Sequence, residues 1–201
     1  MITANSRTWN NFVRHILKWE GKTSRDPRDS AAKCFPGGIH TNKGITFCTF
    51  KQLAPKLGIT PVTHARFLQL TDAEVGLFIY EFYKEVKGYE FPANLALAMT
   101  EAAWMSGSSR ALAHLRQAMA NAGLPAKTTA QAIDSTRKLP SISLFSRYQG
   151  VRKAYLESLG QSSRFSMFVR GWLNRFNDFN RKFTPTSLFP FFFSYCSVFY
   201  S

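Results

Sequence analysis

The first strong pattern in the chain is an apolar repeat that runs directly into a glutamate. Apolar residues recur at intervals of three and four, which is the spacing of the buried face of an α-helix: Trp9, Phe12, Val13, Ile16 and Leu17. Glu20 continues this face, and Gly21 predicts that the helix ends there. We expect the carboxyl to be partly desolvated, which favours the protonated acid that general acid catalysis requires. The structural alternative is a solvated Glu20 paired with Lys18 or Arg25.

The loop after Glu20 is polar and rich in carboxylates and glycines. It reads E-G-K-T-S-R-D-P-R-D over residues 20–29 and P-G-G-I-H-T-N-K-G-I-T over residues 36–46. This order resembles the signature of the glycoside hydrolase 108 muramidases, roughly E-G-G-Y/F-x-x-D-P-x-D-x-G-G-x-T-N-x-G-I-T. The chain departs from that signature at Lys22, which replaces the second glycine, and in an insertion at residues 30–35.

The resemblance implies a fold and a set of site residues. The fold would be mainly α, a lysozyme-like helical domain whose active-site loop, with room for a small β-hairpin, follows the first helix. Glu20 would be the general acid that cleaves the β-1,4 bond between N-acetylmuramic acid and N-acetylglucosamine. Asp29 would be the second catalytic carboxylate, and Asp26 would fix the loop and contact substrate. Further substrate contacts are expected from Thr41, Asn42 and Thr46, although the same side chains could instead hold the turn together.

The second half of the chain resembles the same family in matching order. Residues 101–107 resemble the family's D-x-A-V-N-S-G, which makes Glu101 and Trp104 candidates for the sugar cleft. Pairing of Glu101 with an arginine, and packing of Trp104 in the core, are the structural alternatives. Residues 168–175 resemble the F-x-x-G-W-x-x-R ending of the family's predicted peptidoglycan-binding region, and we expect Trp172 to pack the last helix onto the core.

These matches divide the chain into three parts. Residues 1–90 form the predicted catalytic region, and residues 91–183 form a helical region that resembles the peptidoglycan-binding part and packs into the same globule. Residues 184–201 form an aromatic tail that is too short to span a bilayer. Three interpretations of this tail remain open. It could insert at a membrane interface, pack against the domain, or be an extension with no structural role.

Composition constrains the partner. A net charge of +14 and a pI near 10.1 predict a polyanionic partner. Charge alone does not choose between nucleic acid and bacterial cell wall, although the basic residues are scattered and no nucleic-acid motif is present. The family resemblance implies the glycan strands of peptidoglycan as the partner, and we expect no nucleic acid and a monomer. The four histidines are dispersed, so neither a metal nor a cofactor is expected. Cys34 and Cys48 flank the loop; they could pair outside the cytoplasm or remain free.

Residues 1–8 contain neither a basic nor an apolar region of a secretory signal. We therefore expect synthesis in the cytoplasm and action in the periplasm or cell wall after release by a holin, by lysis or by a secretion route. Two other functions fit the sequence. A lytic transglycosylase would need only Glu20, and a non-catalytic basic module would bind cell wall through charge. A secretion accessory that cuts the wall locally would use the same chemistry as the muramidase.

Overall fold

The computed structural model describes residues 2–3, 6–21, 23–163 and 165–185. Nine α-helices lie within these ranges: α1 (Arg7–Trp19), α2 (Phe47–Leu53), α3 (His64–Leu68), α4 (Asp72–Glu85), α5 (Ala93–Ser106), α6 (Ser108–Ala120), α7 (Thr129–Thr136), α8 (Ser141–Leu159) and α9 (Ser166–Phe183). Three short 3-10 helices connect them, at Ser30–Cys34, Ala54–Leu57 and Gly88–Glu90. The expectation of a mainly α fold is confirmed.

The expected hairpin after α1 is also present, as part of a small antiparallel sheet. Its three strands, β1 (Thr23–Ser24), β2 (Thr41–Asn42) and β3 (Ile45–Thr46), follow one another in the order of the sequence. The register pairs Thr23 with Asn42 and Asn42 with Ile45. This sheet brings the two ends of the loop together beside the end of α1.

Helix α5 is the centre of the fold. It is buried without interruption from Leu95 to Ala103 and contacts α4, α6, α8 and α9. Small side chains at Ala96, Ala98 and Ala102 allow these neighbours to approach closely. A single cluster of buried apolar residues extends from Ile2 to Phe183, so the helices of both halves share one core.

Asp178 ties the last helix, α9, to the first. The carboxylate is almost fully buried and accepts hydrogen bonds from Lys18 and Trp19 of α1 and from Arg181 and Lys182 of α9. Burial alone would raise the pKa of Asp178, but these donors outweigh it and hold the pKa well below its usual range. This junction lies next to the end of α1, where Glu20 leaves the helix.

Local sequence signals place most helix ends. Thr71 and Glu74 form a capping box at the start of α4. Helix α3 begins at His64, where the Thr63 side chain caps it by accepting from the N–H of Arg66. No described helix is long and apolar enough to cross a membrane. Residues 186–201, most of the aromatic tail, lie outside the described ranges.

Candidate active site

Glu20 leaves α1 at the point where the apolar repeat ends. It is the C-cap residue, and its backbone is extended (φ −86°, ψ 136°) while its N–H still donates to the carbonyl of Ile16 at 3.1 Å. The turn away from the helix axis directs the side chain into a cleft, where 18% of its surface is exposed. The carboxyl is thus partly desolvated, as the apolar repeat predicts, and remains accessible to a ligand in the cleft.

Two donors from distant helices hold one oxygen of this carboxyl. Trp104 of α5 donates from Nε1 to Glu20 Oε1 at 2.8 Å, and Arg175 of α9 donates from Nη1 to the same oxygen at 2.5 Å. A guanidinium at this distance forms a charge-assisted ion pair with the carboxyl, a contact that the sequence does not predict. The sequence places Glu20 on an apolar face but does not reveal the cation that meets it there.

The other oxygen, Oε2, faces the turn between β2 and β3. Gly44 lies in this turn with a φ of +81°, and a Cβ at this position would stand 2.7 Å from Oε2. Only glycine provides both the left-handed backbone and the space for the carboxylate. This contact explains why the G-I-T of the sequence signature begins with glycine.

A buried network of ion pairs connects the site to the core. Glu101 has no exposed side-chain surface, and its Oε1 accepts from Arg175 Nε at 2.7 Å. Its Oε2 contacts the guanidinium of Arg152, which is also buried. Burial and the nearby Arg175 lower the pKa of Arg152 to about 9, so Arg152 remains protonated at neutral pH. Glu20, Arg175, Glu101 and Arg152 thus form a continuous chain of ion pairs from the cleft into the core.

The cleft has a volume of about 710 Å³, and its walls come from both halves of the chain. One wall carries Glu20, Gly44 and Trp104, whereas the opposite wall is apolar and comes from α8 and α9. Glu20 is the only carboxylate among the described residues that line it. The expectation that Trp172 packs in the core is wrong: its ring is half-buried, lines the cleft, and lies 5.9 Å from the ring of Phe168.

The two aspartates of the loop lie outside this lining. The Asp29 side chain caps the 3-10 helix by accepting from the N–H of Ala31 at 2.9 Å. Asp26 pairs with Arg28 at 2.7 Å, and the hydrogen bonds from Arg28 lower the pKa of Asp26 to about 2. These contacts belong to the structure of the loop, so the substrate contact of Asp26 and the catalytic role of Asp29 both remain predictions.

The polar residues of the hairpin mainly hold their own turn together. Asn42 is buried and donates to the Phe67 carbonyl at 2.8 Å, and Thr46 caps α2 by accepting from the N–H of Thr49. Thr41 Oγ1 lies 3.1 Å from a ring nitrogen of His40. None of the three side chains lines the cleft. Their roles in substrate contact remain predictions, and the hydrogen bonds match the structural alternative.

The two remaining candidates, Trp104 and Glu101, occupy different places. Trp104 contacts Glu20 and lines the cleft, and its role in sugar binding remains a prediction. Glu101 takes the alternative role of pairing with arginines and reaches Glu20 only through Arg175. No group of three histidine, cysteine or acidic residues in the described ranges is arranged to hold a metal ion.

A disulfide joins Cys34 to Cys48. The Cα atoms are 5.2 Å apart, and the bond connects the 3-10 helix that follows Asp29 to α2. The bridge thus closes the inserted part of the loop onto the helix that begins at the end of the hairpin. The sequence leaves this pairing open, because three cysteines do not define a framework.

The functional residue that the sequence analysis misses is Arg175. Its signal is present in the pattern, because Arg175 lies between Trp172 and Phe179 at helical spacing and therefore falls on the inner face of α9. A buried arginine requires carboxylate partners. The sequence does not identify Glu20 and Glu101 as those partners, since they lie 155 and 74 residues away along the chain.

Comparisons with known proteins agree with this site. Residues 13–107 match the family described as glycosyl hydrolase 108. The solved structure of Brucella abortus SagA is similar to the chain with a TM-score of 0.64 and 25% identity, over 90% of this chain and 97% of that one. No curated protein matches the chain.

The fold, the carboxylate in the cleft and these similarities support the assignment of the chain as a glycosidase with peptidoglycan hydrolase activity. The match to glycosyl hydrolase 108 extends over residues 13–107, slightly less than half of the chain. The matched region contains Glu20, Gly44 and Trp104 but ends before α9, which supplies Arg175.

Proposed function

We propose that the chain is an N-acetylmuramidase that hydrolyses the β-1,4 bond between N-acetylmuramic acid and N-acetylglucosamine. The observation that carries the proposal is the position of Glu20, the only carboxylate among the described residues of a cleft large enough for a glycan. The family match over residues 13–107 supports the same chemistry. Release would require a holin, lysis or a secretion route, and the working form would be a monomer.

In the proposed reaction, Glu20 transfers a proton to the glycosidic oxygen. The C1–O bond breaks with its electron pair on that oxygen, and positive charge develops at the anomeric carbon. Water adds to this carbon and gives a proton to the proposed second carboxylate or to solvent, and Glu20 regains a proton from solvent, so the net reaction consumes one water. Trp104 and Trp172 present aromatic surface to the cleft, suited to packing against the apolar face of a sugar ring.

Asp29 is the proposed second carboxylate, acting on the attacking water or on the developing positive charge. Its cap on the 3-10 helix fixes its position beside the loop. Asp29→Asn should reduce the rate more than Asp26→Asn, since Asp26 is occupied by Arg28. Equal losses accompanied by equal drops in melting temperature would assign both residues to loop structure.

A second candidate is a lytic transglycosylase, favoured by the single carboxylate of the described cleft lining. In that reaction a hydroxyl of the muramic acid itself replaces water, and one acid/base residue is sufficient. The products differ, because the hydroxyl attack leaves an anhydro ring where hydrolysis leaves a reducing end.

The net charge of the chain also supports peptidoglycan as the proposed partner. A net charge of +14 suits a wall that carries peptide carboxylates and associated anionic polymers. Binding through charge alone should be lost at moderate salt, whereas binding in the cleft should persist. A salt titration of binding to purified cell walls distinguishes the enzyme from a basic binding module.

The test of the proposed function is mass spectrometry of the soluble products released from purified peptidoglycan. Reducing N-acetylmuramic acid ends are expected from the wild type. Anhydro-muramic ends would reassign the chain to the transglycosylases, and reducing N-acetylglucosamine ends would assign it to the other glycosidic bond. Absence of products, with wall binding retained, would leave a binding module.

A further inference from the structure

We propose that Arg175 is a positioning residue for Glu20, a role that rests on the proposed function of Glu20 as the acid. Together with Trp104, Arg175 occupies Glu20 Oε1. Oε2 faces Gly44 and has no hydrogen-bond donor within the described ranges. The proton that is transferred to the glycosidic oxygen is therefore carried by Oε2.

The geometry fixes the carboxyl from two directions. Arg175 reaches Glu20 through Nη1 and Glu101 through Nε, so one planar guanidinium bridges both carboxylates. Glu101 is itself held by Arg152 from α8. Because every member of this chain of ion pairs except Glu20 is buried, the position of Arg175 is set by the core and not by the solvent.

The other elements around Glu20 bring charges that are already paired or more distant. Lys18 of α1 binds Asp178, and Lys43, next to Gly44, binds Asp72 at 2.5 Å. Across the cleft, Arg110 of α6 is exposed and stacks over the ring of Tyr155 of α8, 5.0 Å from its centroid. Arg175 is thus the cation in direct contact with the acid among the residues described.

The role also explains why α9 belongs to the catalytic cleft. The family match ends at residue 107, yet a side chain of α9 holds the acid that lies within the matched region. The helical second half therefore completes the site in addition to any wall binding that it performs.

The experiment compares the wild type with Arg175→Met and Arg175→Lys. Arg175→Met leaves the opposite charges of Glu101 and Arg152 paired and removes the ion pair that holds Glu20. Trp104 donates to the same carboxylate oxygen, so the nitrogen-15 NMR signal of its indole N–H should shift when Arg175 is lost. In activity assays kcat should fall about 10- to 100-fold because the carboxyl is less well placed.

Arg175→Lys retains the positive charge but loses the planar guanidinium that contacts Glu20 and Glu101 together. The Trp104 signal should therefore shift in this variant too, and its kcat should also fall. Arg170→Met, which removes an exposed arginine from the same helix, should change neither property.

An unchanged Trp104 signal in Arg175→Met, or an unchanged kcat in both Arg175 variants, would overturn the positioning role. If Arg175→Met does not fold, Arg175→Lys tests the positioning role instead. Wild-type activity in Arg175→Lys would show that the bridging guanidinium is not required. The Trp104 signal does not depend on activity. A shifted signal in a protein that gives no glycosidase products would therefore confirm the contact and reject the proposed function.

Discussion

Substitution of Gly44 by alanine perturbs the carboxyl of Glu20 through a single added methyl group. The new Cβ would stand 2.7 Å from Oε2, whereas real Cβ contacts rarely fall below 3.4 Å. The carboxyl must therefore move by about 0.7 Å, the difference between these distances. Arg175 and Trp104 oppose the movement because they hold Oε1.

The magnitude follows from the sensitivity of catalysis to position. A displacement approaching 1 Å can reduce a rate about 100-fold, equivalent to about 2.7 kcal/mol of activation free energy. We expect Gly44→Ala to lower kcat by about 10- to 100-fold. Alanine at a positive φ also costs about 1–2 kcal/mol of folding stability, which has to be separated from the effect on the site.

Gly58→Ala provides the matched control. Gly58 has a φ of +71°, close to that of Gly44, but no atom lies within 4 Å of the place that a Cβ would occupy. Both variants should lose similar stability in urea denaturation, and only Gly44→Ala should lose activity in an assay of reducing ends released from peptidoglycan. Equal kcat values for the two variants would refute the contact between Gly44 and the catalytic carboxyl.

Two further predictions concern stability. Reduction of the Cys34–Cys48 disulfide, which closes a loop with a sequence separation of 14, should lower the free energy of unfolding by about 3 kcal/mol. An identical melting temperature with and without reductant would contradict this. Burial lowers the pKa of both His15 and His114 to about 4. Because the unfolded chain takes up these protons near pH 6.5, stability should fall as the pH decreases from 6.5 to 4. A urea midpoint that does not change over this range would refute the assignment.

The parts of the fold that depend on neighbouring residues could be predicted from the sequence. The apolar repeat defines α1 and brings Glu20 to its end, and the pair Thr71 and Glu74 defines the start of α4. These signals act within a few residues, so the pattern alone contains them. The hairpin between Thr41 and Thr46 follows from the same loop signature.

The charge environment of the acid could not be predicted in the same way. Arg175 and Glu20 meet only because α9 packs against α1 and α5, and no local rule fixes that packing. Trp172 illustrates the same limit, because its helical spacing with Phe176 and Phe179 is typical of a core residue although its ring lines the cleft. Helical periodicity identifies an inner face but does not distinguish a core from the wall of a site.

The proposed reaction depends above all on Glu20 as the acid that cleaves the glycan. Glu20→Gln removes the transferable proton, while the amide oxygen can still accept from Trp104 and Arg175. The measurement is the rate at which reducing ends appear from purified peptidoglycan, with melting temperature and binding to cell walls as controls. We predict a loss of about 100- to 10,000-fold with both controls unchanged. A rate within about tenfold of the wild type, below the contribution of a general acid, would exclude Glu20 from that role.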